Sequence, residues 1–342
     1  MAHDEGRAVR VGLCTVMEDI SPEAGRPRDA EPRAAKSGEP IPRAGGSVPG
    51  GGPILHGGEL LTAALAAVAR APRAAALFCD IDGTISPIVA DPFEAVVPDA
   101  FRAALAALAP RLGLLAFVTG RDVRQARAMV GVEGAAYVGL HGFDVLGADG
   151  TIARDPSAAP YVEAVQRMAR RVRALDAERL GLVVENKGPM LDLHYRKAAD
   201  PAATLAELET EILGPARDLG LAVATGHFLV ELRPPEPVDK GTAVLSLLRD
   251  GQGEASLRTA VFLGDDLTDR HGFEAVHDWA AAREGRHALA VAALTVETPH
   301  EVKEAADVWV AATPGMAAVL DRLLEAAGAQ GDRPGPSRRR GR

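Results

Sequence analysis

Through the middle of the chain, short apolar runs of strand length alternate with segments of helical period. Ala75 to Cys79 is one such run, and it stops abruptly at Asp80-Ile81-Asp82-Gly83-Thr84. Leu114 to Val118 ends in Thr119-Gly120-Arg121, Ala136 to Leu140 ends in His141-Gly142, and Thr259 to Leu263 ends in Gly264-Asp265-Asp266. Helical spacing is found at 59–70 and 99–110. Uninterrupted apolar runs suit strands buried on both faces, and their alternation with helices predicts a parallel sheet covered on each side. In such sheets ligands sit beyond the carboxyl ends of the strands, where each of these polar clusters falls.

From about 147 to 234 the texture changes. A helical segment (161–177) precedes strands at 182–185 and 190–195, and a second (202–217) precedes strands at 221–225 and 228–232. An αββ unit repeated twice predicts a small antiparallel α+β module inserted into the parallel fold. Alternation then resumes with a helix from Lys240, strands at 259–263, 288–292 and 308–310, and a last helix at 314–327. The fold class expected is therefore α/β, a Rossmann-like parallel-sheet core (56–146 and 235–327) carrying an inserted αββαββ domain (147–234). Residues 1–55 are expected to be a disordered tail, because 14 of the 33 residues from Ser21 to Pro53 are Gly or Pro and cannot bury enough apolar surface. Residues 328–342 read as a second, basic tail.

Composition narrows the function classes. A length of 342 residues accommodates two domains, and a net charge of −9 argues against a nucleic-acid partner. The longest apolar stretch, around 105–118, is broken by Arg111, so no membrane span or membrane partner is expected. Cys14 and Cys79 form no disulfide framework, which fits a reducing cytoplasm, and Cys79 reads as a small core residue. No signal peptide is legible at the N-terminus. A monomer is expected.

The strand-end clusters carry the chemistry. Residues two apart in a strand point the same way, so Asp80 and Asp82 can face one crevice, and Gly83 permits a sharp turn. Adjacent carboxylates repel unless a cation joins them, which suggests Mg2+, with one Asp free to attack phosphorus and the other to shuttle a proton. Thr119, beside a glycine, offers a hydroxyl and N–H groups to a phosphate oxygen. Lys240 is one of only five lysines among 33 arginines, and a compact ammonium can meet a phosphoryl oxygen as a point charge. Asp265 is placed to add a carboxylate from a neighbouring strand, and Asp269, four residues on, shares its helical face. Taken singly, each has a plainer reading: an N-capping turn, a strand-to-helix cap or a surface lysine.

In this order, Asp-x-Asp-Gly-Thr, Thr, Lys and Gly-Asp-Asp-x-x-Asp resemble the haloacid dehalogenase superfamily. Asp80 to Val89, Gly139-Leu140-His141-Gly142, Glu185-Asn186-Lys187-Gly188, His194-Tyr195-Arg196, Glu231-Leu232-Arg233-Pro234 and Asp239-Lys240-Gly241 are further similar to its trehalose-6-phosphate phosphatase family, over roughly residues 73–325. The resemblance implies a phosphatase that releases trehalose from trehalose 6-phosphate, the last step of trehalose biosynthesis. It makes Asp80 the nucleophile and Asp82 the acid and base, with Thr119 and Lys240 holding the phosphoryl group. Mg2+ would bind Asp80, the Asp82 backbone carbonyl and Asp265, supported by Asp266 and Asp269. Gly120, Arg121, His141, Glu185, Lys187, Arg196 and Glu231 would contact the substrate, the last four residues belonging to the inserted, or cap, domain.

Two departures from that pattern stand out. Arg270-His271 replaces an acidic continuation after Asp269, and Asp144 stands where the longer Glu is usual. The first departure raises a rival expectation, a catalytically silent sugar-phosphate sensor. A second rival is a phosphatase for another sugar phosphate, such as sucrose phosphate.

Overall fold

The structure, a computed structural model, describes residues 53–328 apart from 148, 227, 251–256 and 296–297. Six strands come first: β1 (Ile54–His56), β2 (Ala75–Cys79), β3 (Leu114–Val118), β4 (Ala136–Gly139), β5 (Asp144–Leu146) and β6 (Ile152–Arg154). Four more, β7 (Val183–Asn186), β8 (Leu191–His194), β9 (Ala222–Gly226) and β10 (Leu229–Arg233), form a separate sheet in the order β7-β8-β10-β9, and every pairing in it is antiparallel. The last three, β11 (Thr259–Gly264), β12 (His287–Leu294) and β13 (Val308–Ala311), return to the first sheet, whose order is β1-β13-β12-β11-β2-β3-β4-β5-β6. Its central pairings, from β13 through to β4, are parallel.

Alternation across each strand explains the apolar runs. Leu77, Cys79, Leu115 and Phe117 join one buried cluster, while Ala76, Phe78, Ala116 and Val118 join another on the opposite face. Helices Gly58–Arg70, Asp99–Leu108 and Ala312–Gly328 cover the first face through Leu61, Phe101 and Leu320. Helices Lys240–Asp250 and Leu267–Ala281 cover the second through Val244 and Phe273. Cys79 lies in the core as expected, and burial pushes its thiol well up. From β2 the chain proceeds to β3 on one side, and only much later does β11 add on the other. That switch point opens a crevice beyond β2 and β11.

In the small sheet, Leu191, Leu193, Val230 and Leu232 pack on Val165, Met168, Val172, Leu208, Ile212 and Ala216 of two helical stretches, Val162–Val172 and 201–218. The alternate residues, Asp192 and Glu231, therefore face away from those helices. The expected boundary at 147 falls in the turn of a hairpin, and both of its strands, β5 and β6, belong to the large sheet. The passage to the small sheet thus lies at Pro156–Tyr161, and Asp155 N–H donating to the Phe143 carbonyl at 2.7 Å ties its start to the core. Periodicity does not reveal three-residue strands such as these. Nor does it disclose the helix Val123–Val130, although Asp122 caps its start and Gly131 ends it in the left-handed region. No helix among the described residues is long and apolar enough to cross a membrane.

The expected tail of 1–55 reaches into β1, which pairs with β13 and stacks His56 on Trp309 at 4.2 Å. Residues 1–52 and 329–342 lie outside the described residues. Deleting 1–52 should leave thermal stability unaltered, whereas deleting 1–57 should cost about 1–3 kcal/mol in lost edge hydrogen bonds and stacking. Melting curves of the two truncations check this, and equal midpoints would show that β1 contributes nothing.

Candidate active site

Beyond Cys79 the chain turns immediately. Gly83 adopts φ +84°, its N–H donates to the Ser86 carbonyl at 2.7 Å, and the Thr84 hydroxyl donates to Asp265 Oδ1 at 3.0 Å. A Cβ at residue 83 would fall 1.9 Å from Asp265 Oδ2, so this close approach needs glycine. On the neighbouring strand end, Asp266 caps the helix Leu267–Ala281 and forms a capping box with Asp269. Asp269 is thereby fixed with Oδ2 accepting from the Asp265 and Asp266 N–H groups at 2.9 and 3.1 Å. Lys240 opens the helix that returns from the small sheet, and its Nζ donates to Asp80 Oδ1 at 2.7 Å and Asp269 Oδ1 at 2.8 Å.

All four charged groups of this cluster are buried, Lys240 to 2% exposure and Asp269 to 0%. Burial is the main force raising the Asp80 carboxyl well above its usual range, with Asp269, Asp266 and Asp82 adding repulsion against the pull of Lys240. Burial likewise leads for Asp265, reinforced by Asp266, Asp80 and Asp269. Burial would lower the Lys240 ammonium, but Asp269, Asp80 and Asp266 outweigh it and hold its pKa well above the ordinary lysine value. Three carboxylates against one ammonium leave a deficit of positive charge. Oxygens of Asp80, Asp265 and Asp269 lie within 4.8 Å of one another, and an all-oxygen donor set fits a hard divalent cation. Since Asp269 already engages Lys240 and two backbone N–H groups, Asp80 and Asp265 are the better-suited ligands.

Asp82, more exposed than its neighbours, is gripped by Arg121, with Nε to Oδ2 at 2.6 Å and Nη2 to Oδ1 at 2.7 Å. Arg121 also donates to the Pro92 carbonyl at 2.9 Å. Thr119 is buried, its hydroxyl accepting from Arg121 N–H at 3.3 Å and its carbonyl from His141 N–H at 2.9 Å. His141, at φ +57°, points Nε2 to Glu231 Oε2 at 3.0 Å, and its ring would stand 2.6 Å from any Cβ placed on Gly120.

The inner face of the small sheet closes over this loop. Lys187 donates to the Gly120 carbonyl at 2.9 Å and to Asp192, and lies 3.8 Å from Glu185. Glu185 pairs with His194 at 2.9 Å. The Arg196 guanidinium sits 5.0 Å over the Phe228 ring. The structure thus gathers Asp80, Asp265, Asp269 and Lys240 at one end, and His141, Glu185, Lys187 and Glu231 at the other, with Thr119, Gly120, Arg121 and Asp82 between. The Asp266 carboxylate is committed to its cap rather than to the cluster. Of the two departures, Arg270 turns toward Glu274 at 3.3 Å and His271 toward Asp239 at 3.6 Å. Asp144 pairs across its hairpin with Arg154 through two bonds of 2.7 Å. Sequence reasoning missed Asp192 and did not give His194 a role, although an Asp flanked by leucines in a strand is a legible signal.

A parallel sheet with Asp, Thr and Asp beyond its strand ends, a Lys at the start of a helix beside them, and a cap inserted between, defines a haloacid-dehalogenase-like fold. More narrowly, the chain belongs to the trehalose-phosphatase family, whose sequence profile matches residues 78–308. It is 37% identical over 210 residues to a trehalose-phosphate phosphatase of Mycolicibacterium paratuberculosis, covering 60% of this chain and 52% of that one. It is 34% identical over 247 residues to one of Mycobacterium tuberculosis, covering 70% and 61%. The chain therefore spans about half to three fifths of the length of these relatives. The C-terminal domain of a C. albicans trehalose-6-phosphate phosphatase shares the fold, with a TM-score of 0.62 at 22% identity, over 81% of this chain and 98% of that one.

Replacing Lys240 by Met should strand two buried carboxylates and destabilise the fold by about 3–5 kcal/mol. Divalent cation should recover part of the lost melting temperature. A Lys240→Met protein as stable as the unaltered one, with or without cation, would mean that the ammonium does not hold this cluster together.

Proposed function

We propose that this chain is a Mg2+-dependent phosphatase that hydrolyses trehalose 6-phosphate to trehalose and phosphate. The observation that carries the reading is the meeting of two kinds of site in one seam. A carboxylate and lysine cluster suited to a phosphoryl group faces a sheet of buried acids, lysine and histidine suited to a polyol. Lys187 to Gly120, at 2.9 Å, and His141 to Glu231, at 3.0 Å, join the two. Membership in the trehalose-phosphatase family supports the same substrate.

In the first step an Asp80 oxygen attacks phosphorus, the bond from phosphorus to the sugar oxygen breaks, and Asp82 gives that oxygen a proton. The products are free sugar and an aspartyl phosphate. In the second, Asp82 takes a proton from water, whose oxygen attacks phosphorus, and phosphate leaves with Asp80 restored. Arg121 orients Asp82 by both oxygens, so proton delivery requires one of those contacts to yield. Thr119 and Lys240 hold the phosphoryl oxygens. Asp80, Asp265 and the Asp82 carbonyl would hold Mg2+, which when bound offsets negative charge on the phosphoryl group. Phosphate-monoester hydrolysis is among the slowest uncatalysed reactions, with accelerations up to ~10^21-fold, so covalent and electrostatic contributions are both expected. Glu185, Lys187, Arg196, Glu231 and His141 read the sugar. Arg270 pairs with Glu274 and His271 with Asp239, and the presence of Asp80, Asp82, Lys240 and Asp265 weighs against the rival reading of a silent sensor.

A panel of sugar phosphates, sucrose phosphate included, assayed for phosphate release with and without Mg2+, tests this directly. Trehalose 6-phosphate should be the preferred substrate, and a clear preference for another sugar phosphate would reassign the specificity. Asp80→Asn should be inactive yet folded; appreciable turnover by that protein would end the covalent mechanism. Lys187→Ala and Glu231→Ala should each cost about 1–3 kcal/mol or more in kcat/KM for trehalose 6-phosphate through unpaired buried groups. Both should spare para-nitrophenyl phosphate, which reaches only the core. Equal losses on the two substrates would remove the small sheet from sugar recognition.

A further inference from the structure

The face of the small sheet that meets the core carries three acidic side chains in register. Glu185 on β7 stands opposite Asp192 on β8, and Asp192 stands opposite Glu231 on β10. Their exposures are 5%, 3% and 6%, so the row is shut off from solvent. Adjacent strands lie about 4.8 Å apart, and like charges directly opposite each other are destabilising. The flanking members have partners of their own, Glu185 in His194 and Glu231 in His141. For the middle member the hydrogen-bond partner among the described residues is Lys187, and its second oxygen, Oδ1, has none. Burial and Glu231 raise the Asp192 carboxyl, and Lys187 opposes them.

Lys187 is buried too, with its side chain 6% exposed, and its ammonium also donates to the Gly120 carbonyl in the loop that bears Thr119 and Arg121. A lysine stem is flexible, and its charge goes where the strongest anion holds it. Without the central carboxylate, the ammonium would be drawn toward Glu185, 3.8 Å away, and off the seam. We infer that Asp192 is a positioning residue for sugar recognition: it fixes the Lys187 ammonium between the small sheet and the Gly120 loop, within reach of a bound sugar. This rests on the sugar-phosphate reading of the seam and adds to it a residue that takes no part in either chemical step.

The test is a double-mutant cycle on Asp192→Asn and Lys187→Met, read as kcat/KM for the best sugar phosphate of the panel divided by that for para-nitrophenyl phosphate. Asp192→Asn should lower this ratio roughly ten- to hundredfold, chiefly through KM, and Asp192→Glu should recover part of it. If Asp192 acts through Lys187, the double variant should fall no further than Lys187→Met alone. An unchanged ratio in Asp192→Asn would overturn the inference, as would additive losses in the double variant. A merely structural role would lower both substrates and the melting temperature together and leave the ratio where it was. Should Asp192→Asn fail to fold, Asp192→Glu, which keeps the charge but displaces it by one methylene, takes its place in the cycle, and a ratio equal to that of the unaltered protein overturns the inference. Sugar-phosphate binding to the Asp80→Asn protein, with and without Asp192→Asn, is measured in parallel by calorimetry and should weaken by a similar factor. If the unaltered protein neither binds nor turns over any sugar phosphate, the parent reading falls and the inference with it. If it discriminates strongly and Asp192→Asn discriminates equally, the inference alone falls.

Discussion

Between Asp80 and Asp269 sits one ammonium, 2.7 and 2.8 Å from their oxygens, with all three groups almost wholly buried. Parallel pairing of β2 with β11 forces this crowding, because it brings the two strand ends together and with them the oxygens of Asp80 and Asp265. At 4 Å, two like charges repel by about 4 kcal/mol even at an effective dielectric of 20. An ammonium from another part of the chain relieves part of this repulsion at the acidic strand ends. Lys240 does so at the first position of the helix that re-enters the core from the small sheet. The route of the chain and the charge of the site are therefore one constraint.

The same arrangement recurs across the seam. Lys187 stands among Glu185, Asp192 and Glu231 much as Lys240 stands among the core aspartates. Each cluster holds more carboxylates than lysines, and in each, backbone N–H groups, hydroxyls or imidazoles take up part of the difference. The two differ in what the remainder invites. Around Lys240 the donors are compact and converge on a point, which suits an ion. Around Lys187 they are spread along three strands, which suits a ligand with several hydroxyls.

Much of this is legible in the amino-acid order. Apolar runs ending in Asp80, Thr119, His141 and Asp265 announce the parallel sheet and its site, because burial on both faces leaves no polar position until the strand ends. The second αββ texture announces the inserted sheet. What stays hidden depends on long-range pairing. The β5 and β6 strands are too short to show a period and exist because β4 offers them an edge. Asp192 is inconspicuous because its significance lies in register, opposite Glu185 across a hairpin and Glu231 on a strand distant in sequence. Asp82 lies past the strand end at Cys79, in the turn rather than on the strand, and nothing local discloses that Arg121 holds both its oxygens.

Lys187 meets the core at a main-chain carbonyl, that of Gly120. No truncation of a core side chain can delete such an acceptor. Any substituent added at residue 120 would strike the His141 ring at 2.6 Å. Heritable variation at this one contact is thus confined to the small sheet, whereas the His141–Glu231 pair can change from either side. Under the proposed function, sugar preference could drift at that contact while the phosphoryl-transfer end stays as it is.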